Sequence, residues 1–534
     1  MRRSSWFRLA VLLLPVSLLA AACGGSDDDG QAASSSTTGP PAEEGCDETV
    51  PGSQIDYGVF APTASLDPPF VSGGLVGGTE LASVYDVLMA FDPETNEYEP
   101  KLAESLEPND DHTQWTLKLR EGITYSDGTP LTAQMVSDSM DRLLQSGVRN
   151  TSGGFLGTIS SKTVVDELTL DVTLSQPWVD FPFVFADEPG MVVNVNAIGD
   201  DPEAFGAQPP DAAGLGPYVV ERNVPGEELV LKARSDYWDG PVCVETLRFV
   251  FVPGSQGTYD ALRSGQLDVG FVRDSVVWAA ARDNGEQELS DPQDGGALLL
   301  VNHDEGRPGS NPKVREAMAL AVDENVINDR AYGGDLLTSK SLVQPGSRYE
   351  SDDIDAFPTD VDRARAALDE AKADGFDGRI EVVCANVPPT TEVALTTEAL
   401  LEAVGFDVTV STKPTAEHIG QIIQGDYDVA CWGINAGAST APTAWRSNLH
   451  SGSPSNRAGY ANPAMDAALD EFFAAPDEDA RKAAVAEVNR IYLDDFVGVP
   501  FGAPEEGIVF TPEVKGIRPT VSTIFLFDKA YLEQ

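Results

Sequence analysis

The chain has 534 residues, with 35 lysines and arginines against 86 aspartates and glutamates, so its formal charge is −51. Such acidity excludes a nucleic-acid partner, because phosphate binding needs a basic surface. An apolar content of 42% with 23% charged residues excludes wholesale disorder, and the lack of a second long apolar run excludes a multipass membrane protein.

The first 22 residues have the order of an export signal. Arginines precede an apolar run at residues 9–19, and three alanines precede Cys23. This junction resembles the lipobox of bacterial lipoproteins, which predicts removal of residues 1–22 and lipidation of Cys23. The alternative is a secretory signal with an unmodified cysteine. Residues 23–50, rich in small and polar residues, are predicted to form a lipidated flexible tether.

Strand and helix patterns alternate along the rest of the chain. Alternating or continuous apolar residues predict strands at 115–120, 168–174 and 247–252. Helical spacing of apolar residues predicts helices within 311–321, 361–371 and 485–491. A mixture of this kind over most of the chain indicates an α/β protein.

Four further cysteines predict two disulfides, because an exported chain folds in an oxidising compartment. Cys384 ends one predicted strand and Cys431 lies in another, with a helical pattern between them. Strands joined in this way lie close together, so Cys384–Cys431 is the expected pair and Cys46–Cys243 remains. The alternative is four buried free thiols, and the spacing matches no zinc site.

A series of motifs carries a more specific resemblance. Residues 119–133, Leu-Arg-Glu-Gly-Ile-Thr-Tyr-Ser-Asp-Gly-Thr-Pro-Leu-Thr-Ala, resemble a signature of the extracytoplasmic solute-binding proteins of peptide- and nickel-type ABC importers. Other elements follow in the order of that family, at residues 65–68, 85–88, 214–218, 236–240, 261–268, 314–317 and 425–429. The resemblance runs from near Ile55 to near the C-terminus.

The resemblance implies a two-lobed α/β clamp of the periplasmic-binding-protein type (type II, cluster C) with an inserted accessory domain. Lobe I would be discontinuous, the accessory domain would interrupt it, and the ligand would lie between lobes that close by a hinge. The expected ranges are 51–78, 213–298 and 507–534 for lobe I, 79–212 for the accessory domain and 299–506 for lobe II. In relatives a cysteine near the mature N-terminus pairs with one after a Tyr-Trp motif, which agrees with Cys46–Cys243.

A departure from the family pattern leaves the class of the ligand open. In many peptide-binding relatives an aspartate shortly after a Gly-Trp pair binds the amine of the peptide. Here no acidic residue lies between Trp432 and Trp445. Asn435 can accept a hydrogen bond but cannot neutralise an ammonium group, and a buried charge needs a counter-charge or several hydrogen bonds. Peptides, sugars and metal chelates therefore stay open as ligands.

Seven residues are candidate ligand contacts: Ser72, Gly73, Arg273, Asn302, Trp432, Asn435 and Trp445. The first two resemble a loop whose backbone touches the ligand in relatives, with a plain glycine turn as the alternative. The tryptophans offer flat surfaces, with packing in the core as the alternative.

Arg273 follows a predicted strand and could bind a ligand carboxylate, with a surface ion pair as the alternative. Asn302 and His303 lie where the chain enters lobe II. His303 is expected to be a hydrogen-bonded or solvated histidine rather than a metal ligand.

The resemblance implies a monomeric substrate-binding lipoprotein of an ABC importer, held outside the bacterial membrane. It would deliver a peptide or another small polar solute to a permease served by a separate ATPase chain. A ligand-sensing binding protein is the alternative. A secreted hydrolase is disfavoured, because the nucleophile-elbow and zinc-helix motifs are absent. No cofactor or metal is expected.

Overall fold

The structure is a computed structural model that describes residues 46–63, 65–71, 77–145 and 156–533. Cys23, Ser72 and Gly73 lie outside the described residues, so their predicted roles stay predictions. Among the helices of the described ranges, none combines the length and the apolar character that crossing a bilayer requires.

Strands and helices alternate along the chain, as predicted. The strands are β1 (Val50–Val59), β2 (Met89–Asp92), β3 (Glu97–Pro100), β4 (Ala103–Pro108), β5 (Gln114–Leu119), β6 (Ile159–Val164), β7 (Thr169–Leu174), β8 (Tyr218–Val224), β9 (Glu228–Ala233), β10 (Val244–Phe251), β11 (Val269–Val272), β12 (Gln287–Pro292), β13 (Ala297–Val301), β14 (Arg379–Ala385), β15 (Asp407–Lys413), β16 (Val429–Trp432), β17 (Gly498–Gly502), β18 (Glu505–Phe510), β19 (Val514–Lys515), β20 (Arg518–Pro519), β21 (Phe525–Leu526) and β22 (Tyr531–Leu532).

The α-helices are α1 (Gly78–Tyr85), α2 (Ala133–Gln145), α3 (Pro182–Ala186), α4 (Pro202–Ala207), α5 (Ser255–Arg263), α6 (Ser275–Asn284), α7 (Pro312–Ala321), α8 (Glu324–Ala331), α9 (Val361–Ala373), α10 (Thr390–Val404), α11 (Thr415–Ile423), α12 (Ala441–Leu449), α13 (Pro463–Ala474) and α14 (Glu478–Asp494). The start of α7 has the residues that favour a helix N-terminus. The Asn311 side chain accepts a hydrogen bond from Lys313 N, and Pro312 occupies the first turn, where its missing N–H costs nothing.

Lobe I is built on a seven-stranded mixed sheet in the order β12-β18-β11-β1-β10-β9-β8. Strand β1 runs parallel to β10 and β11, whereas β18 is antiparallel to β11 and β12. The sheet therefore joins segments that are far apart in sequence. The carboxyl ends of β1, β10 and β11 meet at one edge.

Lobe II is built on a five-stranded sheet in the order β15-β14-β16-β13-β17. Strand β14 is parallel to both β15 and β16. The predicted helices at 311–321, 361–371 and 485–491 are present as α7, α9 and part of α14, and their apolar faces share one core with this sheet.

The accessory domain contains a four-stranded antiparallel sheet in the order β4-β5-β7-β6. Two of its strands are the ones predicted from alternation, since Leu117 and Leu170 point inward and are fully buried. Helices α2 and α3 contribute Val136, Met140 and Phe183 to the same core.

Two short links connect the sheets of the lobes. Residues 293–296 lead from β12 to β13, and residues 503–504 lead back from β17 to β18. The links are hydrogen-bonded to each other, because Gln293 N donates to Pro504 O at 3.0 Å. This arrangement is a two-lobed clamp with paired hinge strands.

Both expected disulfides are present. Cys46 and Cys243 tie the segment before β1 to the start of β10, with a Cα–Cα distance of 5.6 Å. Cys384 and Cys431 join the neighbouring parallel strands β14 and β16, with a Cα–Cα distance of 5.0 Å. Both distances lie in the range typical of disulfides.

Candidate ligand-binding site

A row of side chains lies along the lobe I edge next to the hinge. Asp291 of β12 is paired in register with Glu506 of β18, and Arg273 follows β11 on the other side of β18. Arg273 forms an ion pair with Glu506, and its guanidinium lies over the Phe60 ring, 5.4 Å from the centroid. Of the two roles considered for Arg273, the structure shows the ion pair.

On lobe II, the carboxyl end of β16 presents two of the predicted contact residues. Trp432 is half-buried, with its ring centroid 6.2 Å from that of His418. Asn435 is exposed and has a φ of 52°, in the left-handed region that asparagine tolerates better than most residues. The carboxyl ends of parallel strands are where α/β proteins bind ligands, so both residues are well placed for contact.

The segment 433–440 passes from Trp432 to the hinge and touches lobe I. Ala438 N donates a hydrogen bond to Asp291 Oδ1 at 3.1 Å. A Cβ atom at Gly437 would collide with Asp291 Oδ2, so only glycine allows this close approach. Asp294 and Ala436 pair through two main-chain hydrogen bonds. The segment 433–440 of lobe II therefore contacts the carboxylate of Asp291 and the main chain of Asp294.

Two hinge carboxylates have raised pKa values. The Asp294 side chain, 1% exposed, accepts hydrogen bonds from Ser347 Oγ at 2.6 Å and Gln344 N at 2.8 Å. Burial nevertheless raises the pKa of Asp294 to about 8. Loss of solvent, with a smaller contribution from the charge of Glu506, raises the pKa of Asp291 to about 6. No lysine, arginine or histidine within the described ranges forms an ion pair with either aspartate.

The structure corrects the prediction for Asn302, which is fully buried in lobe II. Its Nδ2 donates to Gly425 O and Tyr427 O, each at 3.0 Å, and its Oδ1 accepts from Asp304 N at 3.0 Å. The main chain therefore uses the hydrogen-bonding groups of Asn302, and the side chain holds loops together instead of contacting a ligand.

Trp445 also differs from its predicted role. It is 0% exposed and packs against Phe472 in the lobe II core, with ring centroids 5.7 Å apart. His303 is a hydrogen-bonded histidine, as expected, with Nε2 2.8 Å from Val497 O, and burial lowers its pKa to about 4.

Sequence reasoning missed Asp291, Asp294 and Glu506. The available signal was weak, because a chain with 86 acidic residues offers many carboxylates near strand ends. The one usable signal was the position of Asp294 between the last strand of one sheet and the first strand of the next, which would have marked residues 291–296 as a candidate hinge.

Comparison with known proteins agrees with the architecture. Residues 97–456 match the sequence model of the bacterial extracellular solute-binding proteins, family 5, middle region. The probable D,D-dipeptide-binding periplasmic protein DdpA of Escherichia coli is 23% identical over 491 residues, which is 89% of this chain and 94% of the relative. Heme-binding protein A of Haemophilus influenzae is 24% identical over 498 residues, covering 87% of this chain and 89% of the relative.

The same fold is found among solved structures. The periplasmic binding protein DppA of Helicobacter pylori, in complex with the peptide STSA, superposes with a TM-score of 0.72 at 21% identity. That match covers 90% of this chain and 98% of the solved one. The chain belongs to family 5 of the bacterial extracellular solute-binding proteins.

Proposed function

We propose that this protein is the substrate-binding lipoprotein of an ABC importer. It captures a small polar solute between its lobes outside the membrane and delivers the loaded, closed form to a permease. The observation that carries this proposal is the contact between the lobes at the hinge, where Gly437 and Ala438 of lobe II lie against Asp291 of lobe I, a few residues along the chain from Trp432 and Asn435. Family membership supports the same function.

Closure follows from differential affinity. A clamp favours its closed state only to the extent that the ligand binds that state more tightly than the open one. Side chains from both lobes must therefore touch the ligand, and the residues beside the hinge are the candidates. The class of ligand differs among relatives, since the two described above are named for a D,D-dipeptide and for heme. We expect a peptide or another small polar solute.

A thermal-shift screen of the mature chain tests the proposal. The panel contains di- to pentapeptides with free and blocked N-termini, oligosaccharides, metal chelates and heme. A ligand at about 100 times its Kd adds about 2.7 kcal/mol of stability, so a bound ligand raises the melting temperature measurably. A panel without any stabilising compound would contradict the proposal.

Variants of Trp432 and Asn435 then test the site. Trp432→Ala and Asn435→Ala should weaken binding. Asn435→Ala should leave the unliganded melting temperature nearly unchanged because Asn435 is exposed, whereas Trp432→Ala should also lower it, because the half-buried ring packs against the lobe II core. The matched control is Asn448→Ala, a partly buried asparagine of α12 whose amide donates to Ala444 O. Unchanged affinity in both site variants would show that the ligand binds elsewhere.

A further inference from the structure

The charges next to the hinge do not balance. Arg273, which was a candidate for binding a ligand carboxylate, is already paired with Glu506. The hinge aspartates Asp291 and Asp294 have no cationic partner among the described residues. Asp294 holds its proton at neutral pH, because its pKa is about 8. Asp291 is therefore the carboxylate that lacks a counter-charge, and a cationic group of the ligand would be complementary to it.

The two aspartates are not equivalent. Asp294 is enclosed, and its carboxyl oxygens already accept hydrogen bonds from Ser347 Oγ and Gln344 N. Asp291 is half-buried, and the donors near its carboxylate, Ala438 N and the Gln293 amide, are neutral. Of these two aspartates, Asp291 is the one that combines a carboxylate without a counter-charge with partial exposure to solvent.

The surroundings of Asp291 place it beside the candidate contact residues of lobe II. The segment that follows Trp432 contains no acidic residue before Trp445. Within this segment, Gly437 lies against the Asp291 carboxylate, two residues from the exposed Asn435. A negative charge is thus brought to an uncharged stretch of lobe II by a strand of lobe I.

We propose that Asp291 is the counter-charge for a cationic group of the ligand, either an ammonium or a guanidinium. This inference rests on the proposed function and adds a specificity-determining residue to it. Asp291 accepts one hydrogen bond from Ala438 N and a second, charge-assisted one from the ligand. The cation is then held between the hinge strand of lobe I and the segment 433–440 of lobe II.

The test compares the mature wild-type chain with Asp291→Asn, which keeps an acceptor for Ala438 N and removes the charge. The probes are trialanine, N-acetyl-trialanine, N-acetyl-Ala-Arg-Ala amide and maltotriose, measured by calorimetric titration. We expect a cationic probe to bind the wild type and to lose about tenfold or more in affinity in Asp291→Asn. Trialanine and the arginine peptide distinguish an α-ammonium from a guanidinium.

A second readout separates a ligand-binding role from a structural one. Removing an uncompensated, partly buried charge should leave the melting temperature of the unliganded protein equal or higher, while the affinity for the cationic probe falls. Asp362→Asn, at an exposed acid of α9, is the matched control and should change neither quantity.

The inference and the proposed function fail in different ways. Equal affinity of a cationic probe for the wild type and Asp291→Asn would overturn the role of Asp291 and leave the binding function intact. If only neutral probes bind the wild type, the role of Asp291 is overturned as well and the binding function remains intact. Failure of every probe to bind the wild type would count against both.

Discussion

Trp178 and Phe473 stack on each other with ring centroids 4.8 Å apart and ring planes inclined by 26°. Trp178 follows β7 of the accessory domain, whereas Phe473 belongs to α13 of lobe II. Phe473 is 5% exposed and is part of the accessory-domain core. Beside this stack, Arg481 of α14 forms an ion pair with Asp180 at 2.8 Å. The accessory domain therefore contacts lobe II through an aromatic stack and an ion pair.

This contact couples the accessory domain to the hinge. Opening of lobe II about residues 293–296 and 503–504 must either break the stack or carry the accessory domain along. Phe473→Ala removes a buried ring and should lower the free energy of unfolding by about 3 kcal/mol. It should also increase the radius of gyration of the unliganded protein in solution scattering, because the closed form loses a contact.

The control for this prediction is Phe406→Ala, which removes a buried ring packed against Phe376 within lobe II. We expect a comparable loss of stability without a change in the radius of gyration. An unchanged radius in Phe473→Ala would show that the stack does not influence the opening of the lobes.

Buried carboxyls make stability depend on pH. An acid whose pKa is raised by folding holds its proton in the folded protein after the unfolded chain has lost it, so stability falls as pH rises between the two pKa values. Asp294, with a pKa of about 8, and Glu80, with a pKa of about 7, both act in this direction. His303, with a pKa of about 4, acts in the opposite direction only below its unfolded value near 6.5.

The free energy of unfolding should therefore decrease from pH 6.5 to pH 8. Asp294→Asn keeps the acceptor for Gln344 N and cannot ionise, so it should be more stable than the wild type at pH 8 by about 1 kcal/mol or more. Urea unfolding at both pH values measures this difference. A variant with the same slope as the wild type would show that Asp294 is not the titrating group.

Gly437 is predicted to be required by the approach of Asp291. Gly437→Ala places a methyl group on the carboxylate and should destabilise the protein by about 1–3 kcal/mol. Asp291→Ala in the same chain should recover part of this loss, because it removes the colliding atoms. A double-mutant cycle in urea measures the coupling between the two positions, and additive effects would contradict the predicted collision.

The membrane anchor is tested separately from ligand binding. Cys23→Ala should move the protein from the membrane fraction to the soluble fraction, because a lipidated cysteine supplies the anchor. Incorporation of labelled fatty acid into the wild type and not into the variant is the direct measurement. Ligand affinity should be the same for both, so retention of Cys23→Ala in the membrane fraction would contradict the lipoprotein assignment alone.

The sequence by itself determined the family, the α/β class and both disulfide pairs. The features other than Cys46–Cys243 depend on short-range information: the motif at 119–133, the alternation of apolar residues in β5 and β7, and the strand-helix-strand order that brings Cys384 next to Cys431. Cys46–Cys243 is then the remaining pair, in agreement with the family resemblance. Spacing along the chain is sufficient for such features, because the side chains on one face of a strand or helix recur every few residues.

The tertiary structure decided which of the candidate side chains are enclosed and which are exposed. Asn302 and Trp445 were plausible from sequence, yet each is enclosed because neighbouring loops and helices cover it. Asp291 acquires its position from two residues that are remote from it in sequence: Glu506 on the neighbouring strand of lobe I, and Gly437 across the hinge. Periodicity describes the face of one element, but the balance of charge at a cleft depends on how distant strands are brought together.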